Sequence, residues 1–198
     1  MISFIRGTLV EKTPARVVVE AGGVGHEILV PLSSYDALGP VGGQVMVHTY
    51  FHVREDAHEL YGFASEKERW LFRMLISVSG IGPRSALGIL SGVGVDDFCD
   101  AIVKEETDFL TAISGVGKKT AQRLIVELKS KISEDEVHLV GSGGGKAVAK
   151  DAVAEAVQAL VALGFPSHIA RKAVDRCAGQ ADKQLSVEEL IRGALKNA

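Results

Sequence analysis

The sequence predicts an α+β protein of several folded parts. These are a small N-terminal β-barrel of the OB type, a tandem helix-hairpin-helix domain, a flexible linker, and a C-terminal three-helix domain whose Leu163-Gly164-Phe165 turn resembles that of ubiquitin-associated-like domains. Three observations predict it. Residues 1–64 break into short runs rich in Val, Ile and Thr, parted by glycine turns. After Ser65 the apolar spacing turns helical and one pattern occurs twice, Val-Ser-Gly-Ile-Gly-Pro-Arg-Ser-Ala at 78–86 and Ile-Ser-Gly-Val-Gly-Lys-Lys-Thr-Ala at 113–121. A tether, Gly141-Ser142-Gly143-Gly144-Gly145, then precedes a last helical segment.

In the barrel, Ile2–Val10, Arg16–Ala21, Gly25–Pro31, Gln44–Val53 and Leu60–Phe63 read as strands, with Gly22-Gly23 as a turn. Arg54–Glu59 lies between two strands and reads as a hairpin tip. The domain over 65–132 opens on a capping box of Ser65 and Glu68. Trp70, Leu71, Met74, Leu75 and Val78 then share one helix face, and helices continue to about Lys131. Residues 133–149 are expected to be an unstructured linker. The domain over 150–198 stripes Ala152, Ala156, Ala159, Leu160 and Leu163 along a first helix that Gly164 ends. Pro166 starts a second through Ile169, Ala173 and Val174. Ser186 with Glu189 caps a third carrying Leu190, Ile191 and Leu195.

The repeat carries the chemistry. Gly80 with Gly115, Gly82 with Gly117 and Ala86 with Ala121 align at one constant offset. Each copy is apolar-x-Gly-apolar-Gly, then polar residues, then a helix. The glycines allow a tight turn and close approach to a ligand. The helix start offers free N–H donors and the positive dipole end. Arg84, Lys118 and Lys119 stand at the mouths, and Arg123 follows one turn on. A phosphate of a nucleic-acid backbone fits such a place. One such turn alone is often only a turn; two in register with cations specify a tandem phosphate grip. A third candidate, Ser91-Gly92-Val93-Gly94, precedes Asp96-Asp97, which cap a helix and repel phosphate, so it reads as a plain interhelical turn.

Composition bounds the rest. The 198 residues are 46% hydrophobic and 24% charged, ordinary globular values. No apolar run reaches the ~20 residues of a spanning helix, and the N-terminus lacks the plan of a secretion signal. Cys99 and Cys177 fall in different domains, so reduced thiols in a cytosolic protein are expected. The net charge of −3 is unevenly spread. Residues 1–64 hold four cations against seven carboxylates. Across 80–90 and 110–131, by contrast, Arg84, Lys118, Lys119, Arg123, Lys129 and Lys131 face Glu127 alone. A local basic site on an acidic chain favours a shaped target over bulk duplex.

No phosphate loop of the G-x-x-x-x-G-K-[ST] form is present, so the chain is not expected to hydrolyse ATP by itself. His48 and His52 on one strand lie roughly 13 Å apart, too far to share a metal. Asp96-Asp97 and Glu105-Glu106 read as solvated helix carboxylates. Two other classes stay open. A helix-hairpin-helix repair enzyme needs a nucleophilic Lys or activating Asp beside the second hairpin, and Lys118 and Lys119 lie in the turn itself. An OB-type single-strand binder needs a basic groove with stacking aromatics, which the acidic balance of 1–64 opposes.

Val53-Arg54-Glu55-Asp56-Ala57, Leu60-Tyr61-Gly62-Phe63, Ser79-Gly80-Ile81-Gly82-Pro83, the run from Gly115 to Ala121 and that from Arg123 to Leu128 resemble the RuvA family. The likeness spans the whole chain and is least specific in the linker. It implies a non-catalytic subunit, without cofactor or metal, that recognises four-way (Holliday) DNA junctions by shape and targets the ATPase RuvB for branch migration. The setting implied is recombination, DNA repair and the SOS response to DNA damage, in the cytoplasm. The expected DNA contacts are Gly80, Gly82, Pro83, Arg84, Gly115, Gly117, Lys118, Lys119 and Arg123. Glu55 and Asp56 are expected to form an acidic pin at the crossover; the plain alternative is a solvated hairpin tip. The tail is expected to tether RuvB. Leu160, Leu163, Phe165, Ile169 and Leu190 are candidates for that surface, Leu160 and Leu190 reading equally well as core. The resolvase RuvC and three or more further copies of the chain, in a homotetramer or octamer, complete the implied partners.

Overall fold

The computed structural model describes residues 1–139, 148–179 and 185–196. They form two compact units, Met1–Asp135 and Glu136–Ala198.

In the first unit, β1 (Phe4–Thr13), β2 (Arg16–Ala21), β3 (Val24–Leu29), β4 (Gln44–Val53) and β5 (His58–Phe63) close into a barrel in the order β1-β2-β3-β5-β4. Neighbours are antiparallel except β3 and β5, which pair in parallel at Leu29 and Tyr61. Alternation along the strands turns Ile5, Leu9, Val17, Val19, Ile28 and Val47 inward. A bulge between Leu9 and Glu11 bends β1. At Gly7 a Cβ would stand 1.9 Å from the Glu20 carbonyl oxygen, so the strand crossing there admits glycine alone. β1 runs to Thr13, three residues past the expected end. Thr13 Oγ1 donates to the Arg16 carbonyl, and Arg16 pairs with both Glu11 and Glu27.

A short helix the sequence pattern does not predict, α1 (Leu32–Ala37), lies between β3 and β4. It ties the barrel to α2 (Glu66–Ile76) through one buried carboxylate. Glu68 accepts from Ser33 Oγ at 2.6 Å, Ser34 Oγ at 2.9 Å and the Ser65 backbone N–H at 3.2 Å. The last of these belongs to the predicted capping box, which is complete. A buried carboxylate is tolerable only when its lone pairs are filled in this way. The ring of Phe72 then packs 4.9 Å from Phe63, 5.3 Å from Tyr61 and 5.4 Å from Tyr50, centroid to centroid. Barrel end and helices thus share one apolar core, with Leu71, Phe72 and Leu75 fully buried and Trp70 and Met74 at its margin.

Four helices complete the unit: α3 (Pro83–Gly92), α4 (Val95–Val103), α5 (Thr107–Ala112) and α6 (Lys118–Leu139). Of the expected turn Ser91–Gly94 only Val93-Gly94 lies between α3 and α4, because Ser91 and Gly92 still belong to α3; Asp96 and Asp97 occupy the first turn of α4 as expected, though no side chain caps that helix. Helix α6 runs past residue 133, where the linker was expected to start, because no glycine or proline interrupts the chain before Gly141. The Gly141–Gly145 tether lies outside the described residues.

The second unit packs α7 (Val148–Ala162), α8 (Ser167–Gly179) and α9 (Val187–Lys196) around Ala156, Val157, Leu160, Val174, Leu190 and Ala194. The end of α7 is a Schellman motif. Gly164 takes φ +98°, Phe165 N–H donates to the Leu160 carbonyl and Gly164 N–H to that of Val161. The Ser186–Glu189 capping box is also present.

Candidate nucleic-acid interface

The repeat seen in the sequence is a repeat of geometry. In the first copy Ile81 N–H donates to the Val78 carbonyl at 3.1 Å; in the second Val116 N–H donates to that of Ile113 at 3.0 Å. Gly80 and Gly115, third in their turns, have φ +89° and +86°. That position in such a turn calls for glycine. The next helices begin alike, Ala86 N–H to the Gly82 carbonyl at 3.0 Å and Ala121 N–H to that of Gly117 at 2.9 Å. Val78, Ile81, Ile113, Val116, Ala86 and Ala121 are all buried. The apolar members of each hairpin therefore anchor it, and the glycines and cations are left at the surface. No side chain caps α3 at Gly82, and Pro83 opens the helix. Its first N–H groups stay available to an outside acceptor.

The cations differ between the two hairpins. Lys118 and Lys119 are exposed, and among the described residues neither makes an ion pair. Arg84, though mostly exposed, stands 3.5 Å from Glu59 of β5. Arg123 is half-buried and donates to the Ser79 carbonyl at 2.6 Å, so it clasps the first hairpin from the helix of the second. Its guanidinium also lies 3.1 Å from where a Gly80 Cβ would be.

Glu59 is the centre of a small network. It accepts from Tyr61 Oη at 2.8 Å and lies 3.9 Å from Arg54. The tyrosine hydrogen bond, then the Arg54 and Arg84 charges, hold its carboxyl below the usual range. Burial, then the bond to Glu59, push Tyr61 up to about 12. Beyond it the β4–β5 connection closes as Arg54 N–H meets the Ala57 carbonyl at 2.8 Å. Glu55 and Asp56 project there in solvent, Asp56 3.7 Å from Arg54.

The model for the RuvA N terminal domain matches residues 1–62, that for a SAM-like helix-hairpin-helix tandem matches 72–130, and that for the RuvA C-terminal domain matches 151–198. A protein of Pseudomonas paraeruginosa named Holliday junction branch migration complex subunit RuvA is 45% identical, covering 99% of this chain and 98% of its own. Proteins of the same name from Thioalkalivibrio sulfidiphilus and Methylococcus capsulatus are 44% and 43% identical over comparable shares. The chain belongs to the RuvA family.

The part of the chain matched by the RuvA C-terminal domain requires a correction to the expected docking residues. Leu160 and Leu190 are 1% and 2% exposed and fill the three-helix core, so neither can meet a partner. Leu163, 63% exposed, and Ile169, 41% exposed, do reach the surface, with Phe165 half-buried between them in sequence. Val161 and Leu195 are exposed as well. In the part matched by the RuvA N terminal domain, the residue that sequence reasoning passed over is Glu59. Its only signal was one more carboxylate beside Glu55 and Asp56, and its pairing with Arg84 depends on how β5 meets α3. Among the described residues no helix is long and apolar enough to cross a membrane. No cluster of His, Cys, Asp or Glu there could hold a metal ion. Cys99 and Cys177 are both buried.

Proposed function

We propose that this protein is a non-catalytic DNA-binding subunit that recognises four-way junctions and delivers them to the RuvB ATPase for branch migration. The observation that carries the reading is the paired hairpin. Two turns of one geometry, 35 residues apart (Gly80 to Gly115), each offer backbone N–H donors at a helix start beside cations. Family membership, and the name its relatives carry, agree with it.

The work divides as follows. Gly80, Gly82 and Pro83 with Arg84, and Gly115 and Gly117 with Lys118 and Lys119, hold phosphates of a duplex arm. Recognition then follows backbone shape and not base sequence. Arg123 supports the first hairpin from behind. Glu55 and Asp56 stand as an acidic pin where strands part, since like charge keeps phosphates off the centre. Leu163, Phe165 and Ile169 dock the motor, whose ATP hydrolysis moves the junction. Assembly into a homotetramer in the cytoplasm, and service to the RuvC resolvase, complete the proposal.

Gel retardation of a synthetic four-way junction against matched duplex and single strand tests it. A shift at the lowest protein concentration with the junction supports the reading. Preference for single strand points to the OB-type binder instead, and turnover of a damaged duplex to a repair enzyme.

A further inference from the structure

We infer that Glu59 is a positioning residue that restrains Arg84, so that a phosphate reaches the first hairpin only by displacing a carboxylate, whereas the second hairpin binds without competition. The inference rests on the nucleic-acid reading above and concerns how the two hairpins share the load.

Three observations carry it. First, Glu59 is fixed. Its strand register places it opposite His52, on the face that carries Tyr50 and Tyr61 toward the helices. The 2.8 Å bond from the buried Tyr61 hydroxyl orients its carboxylate. Arg84 is the exposed member of the pair, with its side chain 83% exposed and Glu59's only 20%. Second, Arg84 is the one cation in the first hairpin sequence from Val78 to Ala86. The restraint therefore acts on all the charge carried by that segment's own side chains. Third, Lys118 and Lys119 have no corresponding carboxylate among the described residues.

Release is inexpensive by design of the network. When Arg84 turns to a phosphate, Glu59 keeps Tyr61 and gains the fuller attention of Arg54, already 3.9 Å away. A buried charge stranded without a partner is costly, and this arrangement avoids one. An exposed pair of this length is itself weak, so phosphate with its full charge and several oxygens competes successfully, while scattered contacts along a simple duplex do so less well. Glu59 thereby trades affinity for discrimination, as a repulsive element against the wrong ligand does.

The test is a double-mutant cycle on the full chain, with affinities for a four-way junction and its matched duplex measured by fluorescence anisotropy. Glu59→Gln keeps the shape and the tyrosine contact and removes the charge. It is expected to tighten duplex binding about fivefold, the effect of one unit charge at about 4 Å in water. It should also steepen the salt dependence by about 0.9 in log K against log salt, one further neutralised phosphate. The junction-to-duplex ratio falls. In an Arg84→Ala background the same change is expected to do nothing. Equal tightening in that background, or an unchanged affinity in Glu59→Gln, overturns the inference; Glu59→Ala repeats the measurement should Glu59→Gln melt early. A wild-type protein that binds no junction overturns the nucleic-acid reading as well, whereas a wild type that binds and a variant that matches it overturn this inference alone.

Discussion

Reversing the charge of Lys118 and Lys119 should move stability and DNA binding in opposite directions. Both residues open α6, where the helix dipole favours acids and disfavours cations. Both are exposed, and no ion pair of theirs is lost among the described residues. Lys118→Glu with Lys119→Glu should therefore hold or raise stability, by about 0.3–1 kcal/mol for each residue. In a unit of this size that is a rise of a few degrees in melting temperature. The same change places two negative charges where the proposed function docks phosphates, and junction binding should be abolished. The neutral pair Lys118→Ala with Lys119→Ala supplies the scale. If each lysine neutralises one phosphate, losing both flattens log K against log salt by about 1.8 per subunit. A fourfold rise in salt then costs the wild type roughly 12-fold more per subunit than the neutral variant. Thermal melting and anisotropy titrations at several salt concentrations give both halves. Full junction binding by the reversed pair, or the same salt slope in the neutral pair and the wild type, refutes the reasoning.

Five other outcomes follow from the structure and the proposed function. Glu55→Ala with Asp56→Ala should leave junction binding intact or tighter, bring up duplex binding, and change the rate of motor-driven migration; a large loss of junction affinity would show that the tip makes favourable contacts. Phe165→Ala should weaken capture of the ATPase with helical content unchanged, and a chain ending at Gly145 should still bind junctions yet fail to stimulate migration. Tyr61 has its folded pKa raised, so its contribution is complete below its ordinary value of 10.0 and fades as pH climbs through about 12; the unfolding free energy from urea titration should fall at roughly 1.4 kcal/mol per pH unit over that window, and less steeply in Tyr61→Phe. Glu68→Ala removes the acceptor of three serines and should cost about 3 kcal/mol in urea unfolding, Glu68→Gln less.

The local pieces were legible in the sequence because local chemistry decides them. The strands Arg16–Ala21 and Gln44–Val53 have the predicted bounds, and both capping boxes and the glycine turns of the hairpins lie where their residues call for them. Helix α1 was not legible. Its six residues are too few for a period, and tertiary bonds of Ser33 and Ser34 to Glu68, 35 and 34 positions away, hold it. The tail shows a different limit. A stripe of leucines on a helix faces a core or a partner with equal ease, and only packing separates Leu160 from Leu163. Arg123 and Arg84 show the same limit for charge. Both stand near the repeat as cations, yet one holds a backbone carbonyl and the other a carboxylate.

Paired hairpins that hold phosphates should read backbone shape and not base sequence. Equilibrium titration of two four-way junctions of unrelated sequence, alongside the linear duplexes that form their arms, tests it most directly. The two junctions should bind with equal affinity, and every arm much more weakly at the same salt concentration. Junction affinities that follow base sequence, or arms held as tightly as the junctions they compose, would contradict it.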